Sequence, residues 1–91
     1  MVLSVLIVKT AAMRNQTQKC EAQQLFATNM RRIRLGKKMT QESVAEAAGL
    51  HPNYISSVER SERNISIRNI ERIACALNVS MGELLSEFEQ K

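Results

Sequence analysis

The sequence predicts an all-α protein of five helices that follow a short N-terminal extension. Its 91 residues include only three Gly and one Pro, whereas a β-sheet protein of this size needs Gly, Asn and Pro at many fixed turn positions. Hydrophobic residues make up 44% of the chain, aromatic residues 3% and charged residues 24%, a composition typical of a folded domain with an aliphatic core. A chain of this length holds one such core, because two would each bury too little surface to be stable.

The first 20 residues form the extension, and residues 21–91 form the domain. Residues 2–8 are apolar apart from Ser4 and mostly β-branched, while residues 9–20 are polar and show no period. The apolar run is too short to cross a bilayer, and no signal-peptide cleavage site follows a positively charged start. Three interpretations stay open for the extension: a strand added to a partner, a flexible arm, or residues upstream of a functional start at Met13 or Met30.

The first two helices are amphipathic and end near glycines. From Glu21 onwards, Phe26, Met30 and Ile33 recur at helical spacing, and Gly36 ends this helix. The second helix covers residues 41–48, with Thr40 as its N-cap and with Gly49 at its end, where a left-handed residue is needed. Its inward residues are Val44, Ala45 and Ala48.

The third helix begins at Pro52, because proline suits the first helical position and pushes the preceding His51 out of the helical region. It runs to about Arg60. Its inward residues are Ile55, Val58 and Glu59. Its outward residues are Pro52, Asn53, Ser56, Ser57 and Arg60.

Serines introduce the last two helices. Ser66 caps the fourth helix, and Ser80 with Glu83 forms an S-x-x-E capping box ahead of the fifth. In the fourth helix the residues Ile67, Ile70, Ile73, Ala74 and Leu77 keep a helical period. In the fifth the apolar residues are Met81, Leu84, Leu85 and Phe88.

The net charge of +4 is unevenly distributed. Residues 26–72 carry nine Lys and Arg against five Glu, and residues 73–91 carry one Lys against three Glu. A basic middle followed by an acidic tail suits a module whose central face binds a polyanion. Charge alone is equally well explained by a solvated basic surface.

The cysteine and histidine content argues against metal and redox chemistry. Cys20 and Cys75 form no C-x-x-C motif, and the chain has one His, so neither a zinc site nor a disulfide framework is predicted. The sequence also lacks nucleophile–base spacing and a Gly-rich phosphate loop. We therefore expect a cytoplasmic protein that is not an enzyme and has no metal, cofactor, small-molecule ligand or membrane partner.

Two short helices joined by a turn at Gly49 have the layout of a helix-turn-helix. Residues 26–85 resemble the phage-repressor type of this domain, which has a five-helix, lambda-repressor-like fold. The marks are Thr40-Gln41, Ala45, Gly49, Ile55, Val58, Glu59-Arg60 and the ALNVS that precedes the fifth helix. Within this family, the run NYISSVERSERNISIRNIERI is most similar to the controller proteins of restriction-modification systems, which are small dimeric regulators.

The resemblance implies a sequence-specific transcription regulator that binds double-stranded DNA as a homodimer and controls a restriction-modification operon. A phage-type repressor and the antitoxin of a toxin–antitoxin pair are close alternatives. From another class, a protein-interaction module could keep this fold without binding DNA.

The outward face of the third helix is polar and small enough to enter a major groove about 12 Å wide. Its expected base-reading residues are Pro52, Asn53, Ser56 and Ser57. Asn53 and Ser57 are the leading candidates, because Asn pairs bidentately with adenine and Ser bonds to several base edges. Pro52 stands where relatives often carry a long base-reading side chain, which leaves only an apolar contact, for example with a thymine methyl.

Other residues are expected to contact the DNA backbone. Gln41 resembles the residue that clamps a phosphate at a helix N-terminus, where the helix dipole also favours an anion; a solvated Gln is the alternative. The other candidates are His51, Tyr54, Arg60, Arg63 and Asn64. For His51, a plain helix cap is an equally good interpretation.

Arg34 and Glu59 resemble the structural ion pair that links the first helix to the end of the third in this family. A largely buried carboxylate needs such a bidentate Arg partner. Ser61 replaces the glycine that usually follows the Glu-Arg, and Gly36 comes two residues before the usual glycine. We therefore expect the loops at both places to take different backbone forms from those of the family.

A homodimer is expected because one domain reads only about four to six base pairs, too few for a unique genomic site. The DNA site is then pseudo-palindromic, with half-sites about 34 Å apart or a near multiple. The C-terminal apolar stripe resembles the dimer surface of these repressors and consists of Leu77, Val79, Met81, Leu84, Leu85 and Phe88. Packing within one chain is the alternative, above all for Leu84.

Overall fold

The computed structural model describes residues 21–87, and in this range all regular structure is helical. The helices are α1 (Ala22–Gly36), α2 (Gln41–Ala48), α3 (Pro52–Glu59), α4 (Ile67–Leu77) and α5 (Met81–Leu85). The predicted all-α class and the order of the five helices are confirmed. The N-terminal extension and Phe88 lie outside the described residues, so the expectations for them stay predictions.

The predicted N-caps Thr40, Ser66 and Ser80 are present, and of the predicted capping box at Ser80 the structure shows the half in which Ser80 accepts from the N–H of Glu83. Thr40 accepts a hydrogen bond from the N–H of Ser43 at 3.0 Å, and the Ser43 hydroxyl accepts one from the N–H of Thr40 at 3.0 Å. Ser66 and Ser80 each accept from the N–H three residues on, and Gly49 ends α2 in the left-handed region with φ 72°. The starts of α2, α4 and α5 thus follow from side chains that pair the free N–H groups of a helix end.

The core lies where α4 crosses α2 and where α5 packs against α1. Its largest fully buried side chains are Phe26, Met30, Val44, Ile55, Ile73, Leu77 and Leu84. The helix α3 packs on α1 and α2 through Ile55 and Val58, which are 0% and 3% exposed. This packing fixes α3 with its opposite side directed away from the core.

Two apolar residues lie elsewhere than expected, and a third lies at the exposed end of its apolar stripe. Leu77 and Leu84 are 1% and 0% exposed, so their assignment to a dimer surface is wrong: α5 folds back on α1 and α4, and the chain's own helices cover both side chains. Ile67 keeps the helical period but is 75% exposed. It is the first residue of α4, at the end of the apolar stripe that continues into the buried Ile70 and Ile73.

The two loops without the usual glycine each contain a left-handed residue, and the expectation that their backbones differ from those of the family stays a prediction. Lys38 and Ser61 stand where the family usually has glycine, and both adopt the left-handed region, with φ 59° and 62°. Bonds from the N–H of Met39 to the carbonyl of Arg34, at 3.1 Å, and from Glu62 to Ser57, at 2.9 Å, close the two helix ends. This six-residue closure requires a left-handed residue, which costs about 1–2 kcal/mol at each non-glycine residue.

Between residues 21 and 87, no helix is both long enough and apolar enough to span a membrane.

Candidate nucleic-acid interface

The outward side of α3 carries a row of polar side chains. Asn53 is exposed, Ser56 is half-buried and Arg60 is exposed, and their spacing of three and four residues places them on one helix face. Pro52, four residues before Ser56, is half-buried in the first turn. Since Ile55 anchors the opposite side, this row of amide, hydroxyl and guanidinium groups is presented to solvent.

Ser57 does not belong to that row, contrary to its predicted place among the base-reading residues. It is 6% exposed, its hydroxyl donates to the carbonyl of Tyr54 at 2.8 Å, and the hydroxyl oxygen accepts from Nε of Arg63 at 2.9 Å. The segment after α3 folds back over the helix and covers Ser57. The residue therefore supports the interface from beneath rather than reaching a base.

Arg63 and Tyr54 form a second polar cluster beside α3. The guanidinium carbon of Arg63 lies 5.5 Å from the centroid of the Tyr54 ring, within the range of a cation–π contact. The Tyr54 hydroxyl oxygen accepts from Nδ2 of Asn69 at 3.0 Å. Sequence reasoning missed Asn69, because it lies in α4 and no local spacing connects it to Tyr54.

Arg60 is held by an ion pair that also escaped prediction. Its Nε and Nη2 donate to the two carboxylate oxygens of Glu62 at 3.0 and 3.1 Å, and its Nη1 donates to the Ser56 hydroxyl. The hydrogen bond from Arg60 lowers the pKa of the Glu62 carboxyl and raises the pKa of Arg60. A spacing of two residues is not a helical contact; the left-handed Ser61 brings the pair together.

His51 is a helix cap, which is one of the two interpretations left open by the sequence. Its Nδ1 accepts from the N–H of Asn53 at 3.0 Å. A neutral imidazole that accepts at Nδ1 carries its proton on Nε2, so the exposed side of the ring is a hydrogen-bond donor. Capping and a phosphate contact are therefore compatible at this residue.

The predicted ion pair between Arg34 and Glu59 is present and is nearly buried. Nε of Arg34 donates to Oε2 of Glu59 at 2.6 Å and Nη2 donates to Oε1 at 3.0 Å, and the two side chains are 9% and 4% exposed. Nη1 of Arg34 also donates to the carbonyl of Met39 at 2.9 Å. The pair thus joins α1, the loop after α1 and the end of α3.

Gln41 belongs to the same network. Its Nε2 donates to Oε1 of Glu59 at 3.0 Å, so the residue expected at a phosphate also links α2 to α3. The side chain is half-buried, which differs from the alternative of a solvated Gln. A phosphate contact by Gln41 stays a prediction.

Asn29 performs a structural task that the sequence did not reveal. It is 0% exposed, and its Nδ2 donates to the carbonyls of Leu84 and Ser86 at 2.9 and 2.7 Å. These carbonyls lie at the end of α5, where a helix leaves its last acceptors without partners. A buried Asn on the stripe of Phe26 and Met30 could have signalled such a cap, but not its target 55 residues away.

The C-terminal apolar surface is smaller than predicted. Within the described residues it comprises the half-buried Val79 and Met81 and Leu85, which is 42% exposed. Met81 and Leu85 are four residues apart and share a face of α5.

The chemistry of the interface is hydrogen bonding and charge. Between residues 21 and 87, no group of three His, Cys, Asp or Glu side chains is arranged to hold a metal ion. The groups near α3 are amides, hydroxyls, guanidiniums and an imidazole, which are donors and acceptors suited to base edges and phosphates.

Comparison with known proteins agrees with this geometry. The sequence model of the family described as helix-turn-helix matches residues 30–84. The chain is 48% identical over 62 residues to the control protein C.BamHI of Bacillus amyloliquefaciens, covering 67% of this chain and 76% of that protein. It is 41% identical over 66 residues to the control protein C.SmaI of Serratia marcescens, covering 72% and 79%. The crystal structure of the restriction-modification controller protein C.AhdI from Aeromonas hydrophila aligns with a TM-score of 0.67 at 37% identity, over 68% of this chain and 94% of that one.

Proposed function

Since the chain belongs to the helix-turn-helix family of DNA-binding transcription regulators, which are not enzymes, we propose that it acts as a homodimer on a pseudo-palindromic operator. The operator controls a restriction-modification operon, by analogy with the relatives that are named control proteins. Residues 21–91 form the DNA-binding and dimerisation unit, and residues 1–20 are an extension to it.

The observation that carries the proposal is the polar row on α3. Asn53, Ser56 and Arg60 face away from the core while Ile55 holds the helix in place. A helix presented in this way enters the major groove, where Asn pairs with adenine through two hydrogen bonds. We assign base reading to Asn53 and Ser56, with an apolar contact from Pro52.

Contacts to the DNA backbone surround this row. Their donors include Nε2 of His51 and the guanidiniums of Arg60 and Arg63. The other assigned side chains lie at the start of α2, on α3 and in the loop after α3. The residues assigned to phosphates are Gln41, His51, Tyr54, Arg60, Arg63 and Asn64. Such contacts orient the protein on the duplex but carry no sequence information.

The homodimer is proposed from information content and from the surface of α5. One α3 helix reads too few base pairs for a unique site, and Leu85 and Met81 leave an apolar surface beside Val79 for a second copy. A two-fold axis there would place the two α3 helices on half-sites about 34 Å apart, or a near multiple.

The proposal is tested by selecting bound sites from duplex DNA of random sequence. We expect enrichment of two inverted half-sites at a fixed spacing. Enrichment of a single unrepeated site, or no enrichment, would contradict a homodimer that reads an operator. The genes beside the coding sequence then separate a control protein, next to a restriction endonuclease, from a phage repressor or an antitoxin.

Two Asn-to-Ala substitutions separate base reading from phosphate contact. Asn53→Ala is expected to lose about 1–3 kcal/mol of binding at one base position. Asn64→Ala is expected to weaken all duplexes alike. Competition binding on the selected site and its single-base variants measures both. Equal losses on all sequences for Asn53→Ala would remove its assigned role.

The dimer surface is tested by Leu85→Asp, with Ile67→Asp as the matched control on an exposed apolar residue of α4. We expect Leu85→Asp to give a monomer at micromolar concentration by light scattering, because it buries a charge in the interface, and Ile67→Asp to leave the dimer intact. An unchanged dimer for Leu85→Asp would place the interface elsewhere.

A further inference from the structure

We propose that Glu62 competes with DNA phosphates for Arg60 and thereby lowers the affinity of the protein for the DNA backbone. This inference rests on the proposed function, because it requires Arg60 to lie on the DNA-binding face. Glu62 is thereby a specificity-determining residue, because it weakens the binding that does not depend on the DNA sequence.

In the free protein the Arg60 guanidinium is hydrogen-bonded to groups of its own chain. The Glu62 carboxylate accepts from Nε and Nη2 of Arg60 at 3.0 and 3.1 Å, and Ser56 accepts from Nη1. All three guanidinium nitrogens are therefore engaged within the chain. A phosphate offers Arg60 the same planar, bidentate pairing as a carboxylate, so one acceptor can replace the other.

The pair has no structural task that accounts for its geometry. The Arg60 and Glu62 side chains are 57% and 55% exposed, and an ion pair in such a position contributes little to folding stability. It is also local: Ser56, Arg60 and Glu62 lie on α3 and the loop that follows it, and the bonds of Arg60 link no other helix.

The position of Glu62 lets its negative charge act on both Arg60 and the DNA backbone. It carries a negative charge beside Arg60, and its pKa is lowered also by the nearby Arg63, so the carboxylate is ionised at neutral pH. When Arg60 turns to a phosphate, Glu62 loses its partner and faces the negatively charged backbone. A phosphate contact carries no sequence information, so Glu62 weakens the binding of every duplex alike. Tight binding then depends on the additional contacts to bases.

The test is Glu62→Gln, which removes the charge and keeps the size of the side chain. Dissociation constants are measured by titration of the full chain with a duplex of random sequence at several salt concentrations. We expect the dissociation constant to fall about fivefold, which corresponds to the free energy of one exposed ion pair. We also expect log K to fall more steeply with log salt, because Arg60 then neutralises its phosphate without a carboxylate beside it; one complete phosphate contact contributes about 0.9 to this slope, which is the upper bound of the change.

Two control variants test whether Glu62 acts through Arg60 and not through the net charge of the protein. Glu71→Gln makes the same change in net charge on the exposed surface of α4, and it is expected to change binding by less than Glu62→Gln does. In an Arg60→Ala background, Glu62→Gln is expected to have no further effect, because the group for which Glu62 competes is gone. A thermal melt of each variant checks that the fold is unchanged.

The outcomes are distinct. Weaker binding by Glu62→Gln would overturn the inference and make Glu62 a group that orients Arg60 for DNA. An equal gain in the Arg60→Ala background, or with Glu71→Gln, would also overturn it, since the effect would then be one of net charge. Absence of any binding of the unaltered chain to duplex DNA would instead defeat the proposed function itself.

Discussion

Glu59 and Arg60 are neighbours at the end of α3, and each forms a bidentate ion pair, yet the two pairs differ in almost every other respect. The pair of Glu59 with Arg34 is 4% and 9% exposed at its side chains, whereas the pair of Arg60 with Glu62 is 57% and 55% exposed. A helix turns by about 100° per residue, so one side chain enters the protein and the next faces solvent. Burial, and not the pairing itself, separates a contact that holds the fold from one that can change partner.

The buried pair also has more partners. Arg34 adds a bond to the carbonyl of Met39, and Glu59 accepts from Gln41, so four segments of the chain converge on one carboxylate and one guanidinium. Charges that have left water need such additional bonds, because the Coulomb attraction alone does not offset their desolvation. The exposed pair has one such bond, from Nη1 of Arg60 to the Ser56 hydroxyl, and does not depend on it, because water solvates both charged groups.

The largest effect that separates the two pairs is expected for Glu59→Gln. It leaves the guanidinium of Arg34 buried without its counter-ion, which costs about 3–5 kcal/mol in the free energy of unfolding. Urea denaturation at a fixed protein concentration measures this loss, since a dimer makes stability depend on concentration. Glu62→Gln is the matched control, with the same chemical change three residues on and no measurable loss expected.

A double substitution shows whether the loss comes from the unpaired charge. Arg34→Met with Glu59→Met replaces both charges by apolar side chains, and it is expected to cost less than Glu59→Gln alone. If the double variant lost as much stability as Glu59→Gln or more, the pair would itself be a net source of stability and not a requirement imposed by burial.

Asn29→Ala tests whether a buried hydrogen bond between uncharged groups also contributes to the free energy of unfolding. The change leaves the carbonyls of Leu84 and Ser86 without the amide that now donates to both, at a cost of about 1–3 kcal/mol. Thr28→Ala, on the exposed side of the same helix, is the control and is expected to change stability little. Both are measured by the same denaturation experiment, and equal effects for the two would break the link between burial and energetic weight.

Whether the sequence predicts a contact depends on how far apart along the chain the contacting residues lie. Caps such as Thr40 and the stripe of Phe26 and Met30 depend on residues within one or two turns, so the sequence pattern alone predicts them. Ser57 was misplaced because the cover over it comes from the loop that follows α3. Leu84 was misplaced because α5 folds back on α1, a tertiary contact that periodicity does not encode.

The remaining omissions have two different causes. The partner of Asn29 is 55 residues away, and the pairing of Arg60 with Glu62 depends on a left-handed Ser61 that the family pattern made appear unfavourable. The ion pair of Arg34 was the exception among long-range contacts. It was found only through family resemblance, because nothing in the local sequence joins residues 25 positions apart.

The smallest stability effect is expected for Arg60→Ala, which completes the contrast with its neighbour. Its loss breaks only solvated contacts, so the urea midpoint should be unchanged within error, although binding to duplex DNA weakens because a phosphate partner is lost. A loss of stability close to that of Glu59→Gln would place Arg60 among the residues that hold the fold, and the division of the two neighbours by burial would fail. A loss of binding without a loss of stability assigns Arg60 to the DNA alone, one residue away from a carboxylate that belongs to the core.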